Sequence, residues 1–106
     1  MYTYKVRETQ PEFKGGINAF GQFLAQNIRY PINARSQRIQ GKVIVRFIVE
    51  KDGTLTDFKV LRNPDDELSR EALRVVKQSP NWVPGAQYGK PIGVSYVVPV
   101  TFSLGN

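Results

Sequence analysis

Residues 41–60, GKVIVRFIVEKDGTLTDFKV, constrain the fold more than any other stretch. Val43, Val45, Phe47 and Val49 fall on one face of an extended chain, and Lys42, Ile44, Arg46, Ile48 and Glu50 on the other. A period of two in β-branched and aromatic residues predicts a strand buried on one face. The run breaks at Lys51-Asp52-Gly53-Thr54, and Asp-Gly is a strong short-range hairpin signal. A second strand follows, with Leu55, Phe58, Val60 and Leu61 as its apolar members. Leu55 and Phe58 share a face only if a bulge follows the turn. A lone hairpin is marginal, so a third strand or a helix must cover it.

Both are legible. The final stretch, 92–103, alternates without a fault: Ile92, Val94, Tyr96, Val98, Val100 and Phe102 against Gly93, Ser95, Val97, Pro99, Thr101 and Ser103. Pro99 cannot donate to a ladder, so this strand belongs at a sheet edge, its amide position outward or at a bulge. With 42–50 central and 55–62 on one side, it takes the other side. A long free edge is an aggregation liability unless covered or used, and it is a surface to which an extended peptide can add.

Ile17, Phe20, Phe23, Leu24 and Ile28 recur at helical spacing and predict an amphipathic helix over 17–28. It should stop at Arg29-Tyr30, because Pro31 restricts its predecessor. Residues 32–37 suit a short helical turn. Leu68, Ala72, Leu73 and Val76 predict a second main helix over 66–78, ended by Pro80. Asp65, Asp66 and Glu67 stand where a helix N-terminus favours negative charge, which explains them better than a metal site does. Residues 79–91, SPNWVPGAQYGKP, read as irregular, with Trp82 over a sheet edge or a helix end. Residues 1–10 read as an extended arm or a short strand ahead of a Pro- and Gly-broken loop.

The expected fold is therefore α+β: a three-stranded antiparallel sheet with two helices packed on one face, in a single domain spanning 1–106. The 106 residues and 41% apolar content suit one modest core. The chain has no Cys and no His, which removes disulfides, thiol and imidazole catalysis and most zinc sites. No apolar run reaches membrane-spanning length, and no signal-peptide pattern appears. The formal charge of +6 raises nucleic-acid binding as an alternative. However, no more than two basic residues adjoin and no RNA-binding aromatic motif accompanies them.

The order of motifs resembles a known family. A helix leads to Tyr30-Pro31 and Ile39-Gln40-Gly41, then a strand, Lys51-Asp52-Gly53, a strand, and a helix bearing Glu71-Ala72-Leu73. Trp82-x-Pro84-Gly85, Gly89-Lys90-Pro91 and Val98-Pro99-Val100-Thr101-Phe102 follow. This is similar to the C-terminal domain of TonB, the bacterial energy transducer. Pro11-Glu12-Phe13-x-Gly15-Gly16 resembles the opening found in Bacteroidetes-type members, with Lys14 in place of their usual Pro.

The resemblance implies a non-enzymatic periplasmic domain without cofactor or metal. It would be joined through a proline-rich linker to an inner-membrane helix and the ExbB–ExbD motor. It implies that the domain grips the TonB box of an outer-membrane transporter by strand addition and loads the transporter plug. The strand that would receive the box comprises Val94, Ser95, Tyr96, Val97, Val98, Pro99, Val100 and Thr101. Tyr30 and Pro31 would lie in the same receptor-facing region. Some relatives join such a domain to a membrane sensor or peptidase, and an exposed edge also permits a homodimer.

Overall fold

The computed structural model describes residues 8–105. The expected arm or strand at the N-terminus therefore lies outside the described residues up to residue 7. Nine elements follow one another: β1 (Glu8–Thr9), α1 (Gly16–Asn27), α2 (Ile32–Ser36), β2 (Gly41–Val49), β3 (Leu55–Arg62), α3 (Asp66–Lys77), β4 (Gly85–Gln87), β5 (Lys90–Ile92) and β6 (Val94–Phe102). The class is mixed α+β, but with two three-stranded antiparallel sheets rather than one, and three helices.

The larger sheet has the order β3-β2-β6. The period of two in β2 becomes burial directly. Val43, Val45, Phe47 and Val49 are fully buried, while the residues between them are partly exposed or exposed. β6 repeats the pattern, with Val98, Val100 and Phe102 buried and Ser95, Val97, Pro99 and Thr101 exposed. The β2–β6 ladder runs unbroken from Gly41↔Phe102 to Val49↔Val94. The β2–β3 ladder shifts register twice, between Ile44/Val45 and between Arg46/Ile48. Each shift places an extra residue on β3. One bulge contains Asp57 at φ 53, and it brings Leu55 and Phe58 to the same core-facing side.

The turn between β2 and β3 is held by Glu50 N–H to Thr54 O (2.8 Å) and Gly53 N–H to Glu50 O (2.9 Å). The Asp52 carboxylate accepts from the Thr54 amide at 3.0 Å and the Thr54 hydroxyl at 2.6 Å. These bonds hold the Asp52 carboxyl below its ordinary range.

The smaller sheet, β1-β4-β5, corrects the reading of 79–91 as irregular. Its register runs Glu8↔Gln87 and Thr9↔Ala86 on one side and Gly85↔Ile92 to Gln87↔Lys90 on the other. A bridge between Glu12 and Val83 continues it, with mutual amide-to-carbonyl bonds of 2.9 and 2.7 Å. Three-residue strands punctuated by Pro and Gly carry no usable period of two. Their partner lies more than seventy residues earlier in the chain. As a result, the final strand starts at Val94, not residue 92.

Trp82 is also corrected. It is 3% exposed and sits at the hub of the core rather than at an edge. Its ring centroid lies 5.1–5.8 Å from those of Phe13, Phe20, Phe47 and Tyr96, all edge-on or nearly so. That geometry suits aromatic quadrupoles. The indole N–H donates to Ser79 Oγ at 3.0 Å, so the buried polar atom is satisfied. Leu68, Ala72, Val75 and Val76 of α3 and Phe20 of α1 complete the buried cluster. The Asp65 side chain caps α3, accepting from Glu67 N–H at 2.9 Å and Leu68 N–H at 3.4 Å. Asp66 and Glu67 complement the dipole at that end, and Arg74 and Lys77 at the other.

Candidate functional site

The candidate site is the outer edge of β6, and backbone parity decides what it offers. Residues of an antiparallel strand bond alternately to one side and the other. Glu50 bonds toward β3 through Thr54, so even-numbered residues of β2 face β3 and odd-numbered ones face β6. Ile44 pairs with Pro99, so Pro99 stands at a non-bonded position and points away from β2. The missing N–H of Pro99 therefore costs the sheet nothing. By the same parity, Ser95, Val97 and Thr101 direct both N–H and C=O outward, and Pro99 directs its C=O.

The edge divides the eight expected strand residues into two sets. Ser95, Val97, Pro99 and Thr101 present free backbone. Val94, Tyr96, Val98 and Val100 bond β2 with their backbones and turn their side chains to the helix side. Helix α1 flanks that side. A cavity of 220 Å³ lies between Leu24, Ala25 and Ile28 of α1 and Pro99, Val100 and Thr101 of β6. A second, of 300 Å³, lies between Ile17 of α1, Phe13, Trp82 and Tyr96. Ile17, 61% exposed, borders this second hollow. A strand added to β6 would set alternate side chains against these two apolar hollows. Nothing in the sequence pairs α1 with this edge, so the hollows were not legible there.

Tyr30 and Pro31 are placed differently from each other. The Tyr30 ring packs edge-on against Phe102, with centroids 5.6 Å apart, and its hydroxyl donates to the Ile39 carbonyl. That contact brings the corner to the C-terminal end of β6. Pro31 supplies the N-cap residue of α2, whose Arg35 N–H bonds the Pro31 carbonyl at 2.9 Å. The outer surface of this corner opens into a 420 Å³ cleft against α3, lined by Arg29, Ile32, Glu67, Arg70 and others. The cleft is separate from the hollows along β6.

Helix α1 ends at Asn27, short of the expected Arg29-Tyr30, because Ile28 is already extended (φ −75, ψ 142). An unforeseen clamp from α3 secures the exit. Glu71 and Arg74 form a bidentate pair, with both N–H···O distances 2.7 Å. The Arg74 guanidinium also donates to the Asn27 carbonyl at 2.9 Å, and Glu71 accepts the Arg29 amide at 2.6 Å. Partial burial alone would raise the Glu71 carboxyl. The bonds from Arg74 and the Arg29 amide, with the two guanidinium charges, outweigh it and hold the group below its ordinary range.

Comparison with known proteins agrees with this architecture. Residues 26–104 match the family model for the C-terminal region of the Gram-negative bacterial TonB protein. Protein TonB from two Helicobacter pylori strains is 35% identical over 78 residues, covering 72% of this chain. The chain spans about a quarter (26%) of the length of those relatives. Two solution NMR structures of the Helicobacter pylori TonB C-terminal domain superpose with TM-scores of 0.65 and 0.62, at 29% and 30% identity. They cover 85% and 81% of this chain, and 95% and 78% of their own. With its sheet, its helices and these matches in agreement, the chain belongs to the TonB C-terminal domain family.

Proposed function

We propose that this chain is the receptor-gripping domain of a TonB-type energy transducer, which works in the periplasm and captures an extended peptide from an outer-membrane transporter on the free edge of β6. The observation that carries the reading is the parity of that edge. Outward amides at Ser95, Val97 and Thr101 and outward carbonyls at 95, 97, 99 and 101 form a ready half-ladder beside two apolar hollows. Main-chain pairing depends little on side chains, so one domain can serve several transporters. Force directed along the strands would load the ladder bonds together in shear. Family membership supports a longer parent protein that reaches an inner-membrane anchor and an ExbB–ExbD motor. The role assigned here is binding and force transmission rather than catalysis.

The test is Val97→Pro. Val97 is exposed and its N–H points away from β2, so the fold should survive. Removal of one central donor should weaken binding of a transporter N-terminal peptide by about fivefold to tenfold, the worth of one net hydrogen bond. Unfolding of the variant would show instead that residue 97 bonds β2. Unchanged peptide affinity with an intact fold would show that the peptide docks elsewhere.

A further inference from the structure

The face of the large sheet turned away from the helices carries a charge pattern that peptide capture leaves unused. Residues directly opposite in an antiparallel pair share a face. Arg46 lies opposite Lys59 on one side and Val97 on the other. Ile44 lies opposite Arg62 and Pro99, and Lys42 opposite Thr101. Four cations thus stand within two adjacent strands, around Ile44. Among the described residues, none of the four side chains has an ion pair or hydrogen bond. Two carboxylates stand toward the turn end of the sheet: Glu50 accepts the Thr56 hydroxyl, and Asp57 is exposed in the β3 bulge with no ion pair to the four cations.

Like charges placed directly across a ladder destabilise it, and Arg46 and Lys59 are so placed. An anionic partner would relieve that repulsion. The surroundings indicate which kind. Every aromatic side chain of the three strands, Phe47, Phe58, Tyr96 and Phe102, belongs to the core cluster on the opposite face. The cationic face therefore has no stacking platform for nucleic-acid bases. It does expose apolar side chains among the cations: Val97, opposite Arg46, is 48% exposed, and Ile44 is partly exposed. Basic and apolar groups mixed over a broad sheet face suit a phosphate headgroup layer with shallow apolar contact.

We propose that this face rests on an anionic bilayer surface, with Lys42, Arg46, Lys59 and Arg62 over lipid phosphates. The sheet then lies along the membrane and the β6 edge opens sideways. The proposal is independent of peptide capture, because the edge and the face are different surfaces.

The experiment is co-sedimentation with phosphatidylcholine vesicles that contain or lack phosphatidylglycerol. Binding should require the anionic lipid and fall with added salt. Lys59→Glu removes one attractive charge and adds one repulsive charge. At about fivefold per charge, binding should fall on the order of 25-fold. The same variant should raise the thermal midpoint slightly, since it converts a cross-strand repulsion into an attraction. A purely structural role for Lys59 could not give these opposite signs. Arg70→Glu, with the same charge change on the outer face of α3, should leave most vesicle binding intact. Equal loss in Arg70→Glu would reduce the effect to net charge and overturn the proposal. So would equal binding to neutral vesicles, or salt-sensitive binding to duplex DNA with no preference for anionic vesicles.

Discussion

Phe47→Ala is the sharpest test of the core that positions the edge. Phe47 is fully buried at the middle of the central strand. Its ring centroid is 5.3 Å from Trp82, 5.9 Å from Phe58 and 6.2 Å from Tyr96. Those neighbours come from the 79–91 segment, β3 and β6, so a single truncation leaves a hollow that three elements would have to close. Phe-to-Ala changes at such sites cost about 3–5 kcal/mol through lost transfer energy and residual cavity. A domain of this size has only ~5–15 kcal/mol in total. With a urea dependence of roughly 1–3 kcal/mol/M, the midpoint should fall by at least about 1 M. Urea unfolding followed by Trp82 fluorescence and far-ultraviolet circular dichroism measures it, and Trp82 emission should also shift because one of its four edge-on neighbours is gone. A midpoint change below about 0.5 M, with an unchanged slope, would refute this placement of Phe47.

Two further outcomes follow from the same packing. Gly53 has φ 88, and a Cβ there would lie 2.2 Å from the Trp82 carbonyl oxygen. Gly53→Ala should therefore cost roughly 1–3 kcal/mol, and clearly more than Gly89→Ala, where φ is 78 but the space is open. Similar unfolding midpoints for the two variants would contradict the docking of the turn on Trp82. Glu71 is held below its ordinary range in the fold, so the stability it contributes is present above the unfolded carboxyl range and is lost as pH falls through the folded value. Wild type should exceed Glu71→Gln in stability at neutral pH, and the gap should close on acidification; a gap that widens in acid would contradict the clamp.

How far the sequence discloses this protein depends on whether its signals are local. β2 and β6 are legible because one face is buried and the period of two survives intact, and Asp52-Gly53 marks the turn between β2 and β3. Pro99 announces an edge by chemistry alone. The bulge in β3 is legible as a fault in spacing, between Leu55 and Phe58. The sheet β1-β4-β5 is not, because strands of two or three residues have no period, and what orders them is a partner far away in the chain. Trp82 lies in the same segment, and its role at the hub depends on rings from α1, β2 and β6. The α1–β6 hollows and the Glu71–Arg74 clamp on the exit of α1 are likewise products of packing. Pro31 marks an end to α1 in the sequence, but the helix already stops at Asn27, and only the fold shows that Tyr30 reaches Phe102 while Pro31 opens toward α3.

Whether the outer edge of β6 receives an added strand can be read from backbone amide shifts during titration with a transporter N-terminal peptide. The largest shifts, with slowed amide exchange, should fall on Ser95, Val97 and Thr101. Smaller shifts should appear on Ile17, Leu24 and Ile28 around the hollows, and near Tyr30 through Phe102. Shifts confined to the 52–54 turn, or to the exposed side of α3, with the β6 amides unmoved, would contradict it.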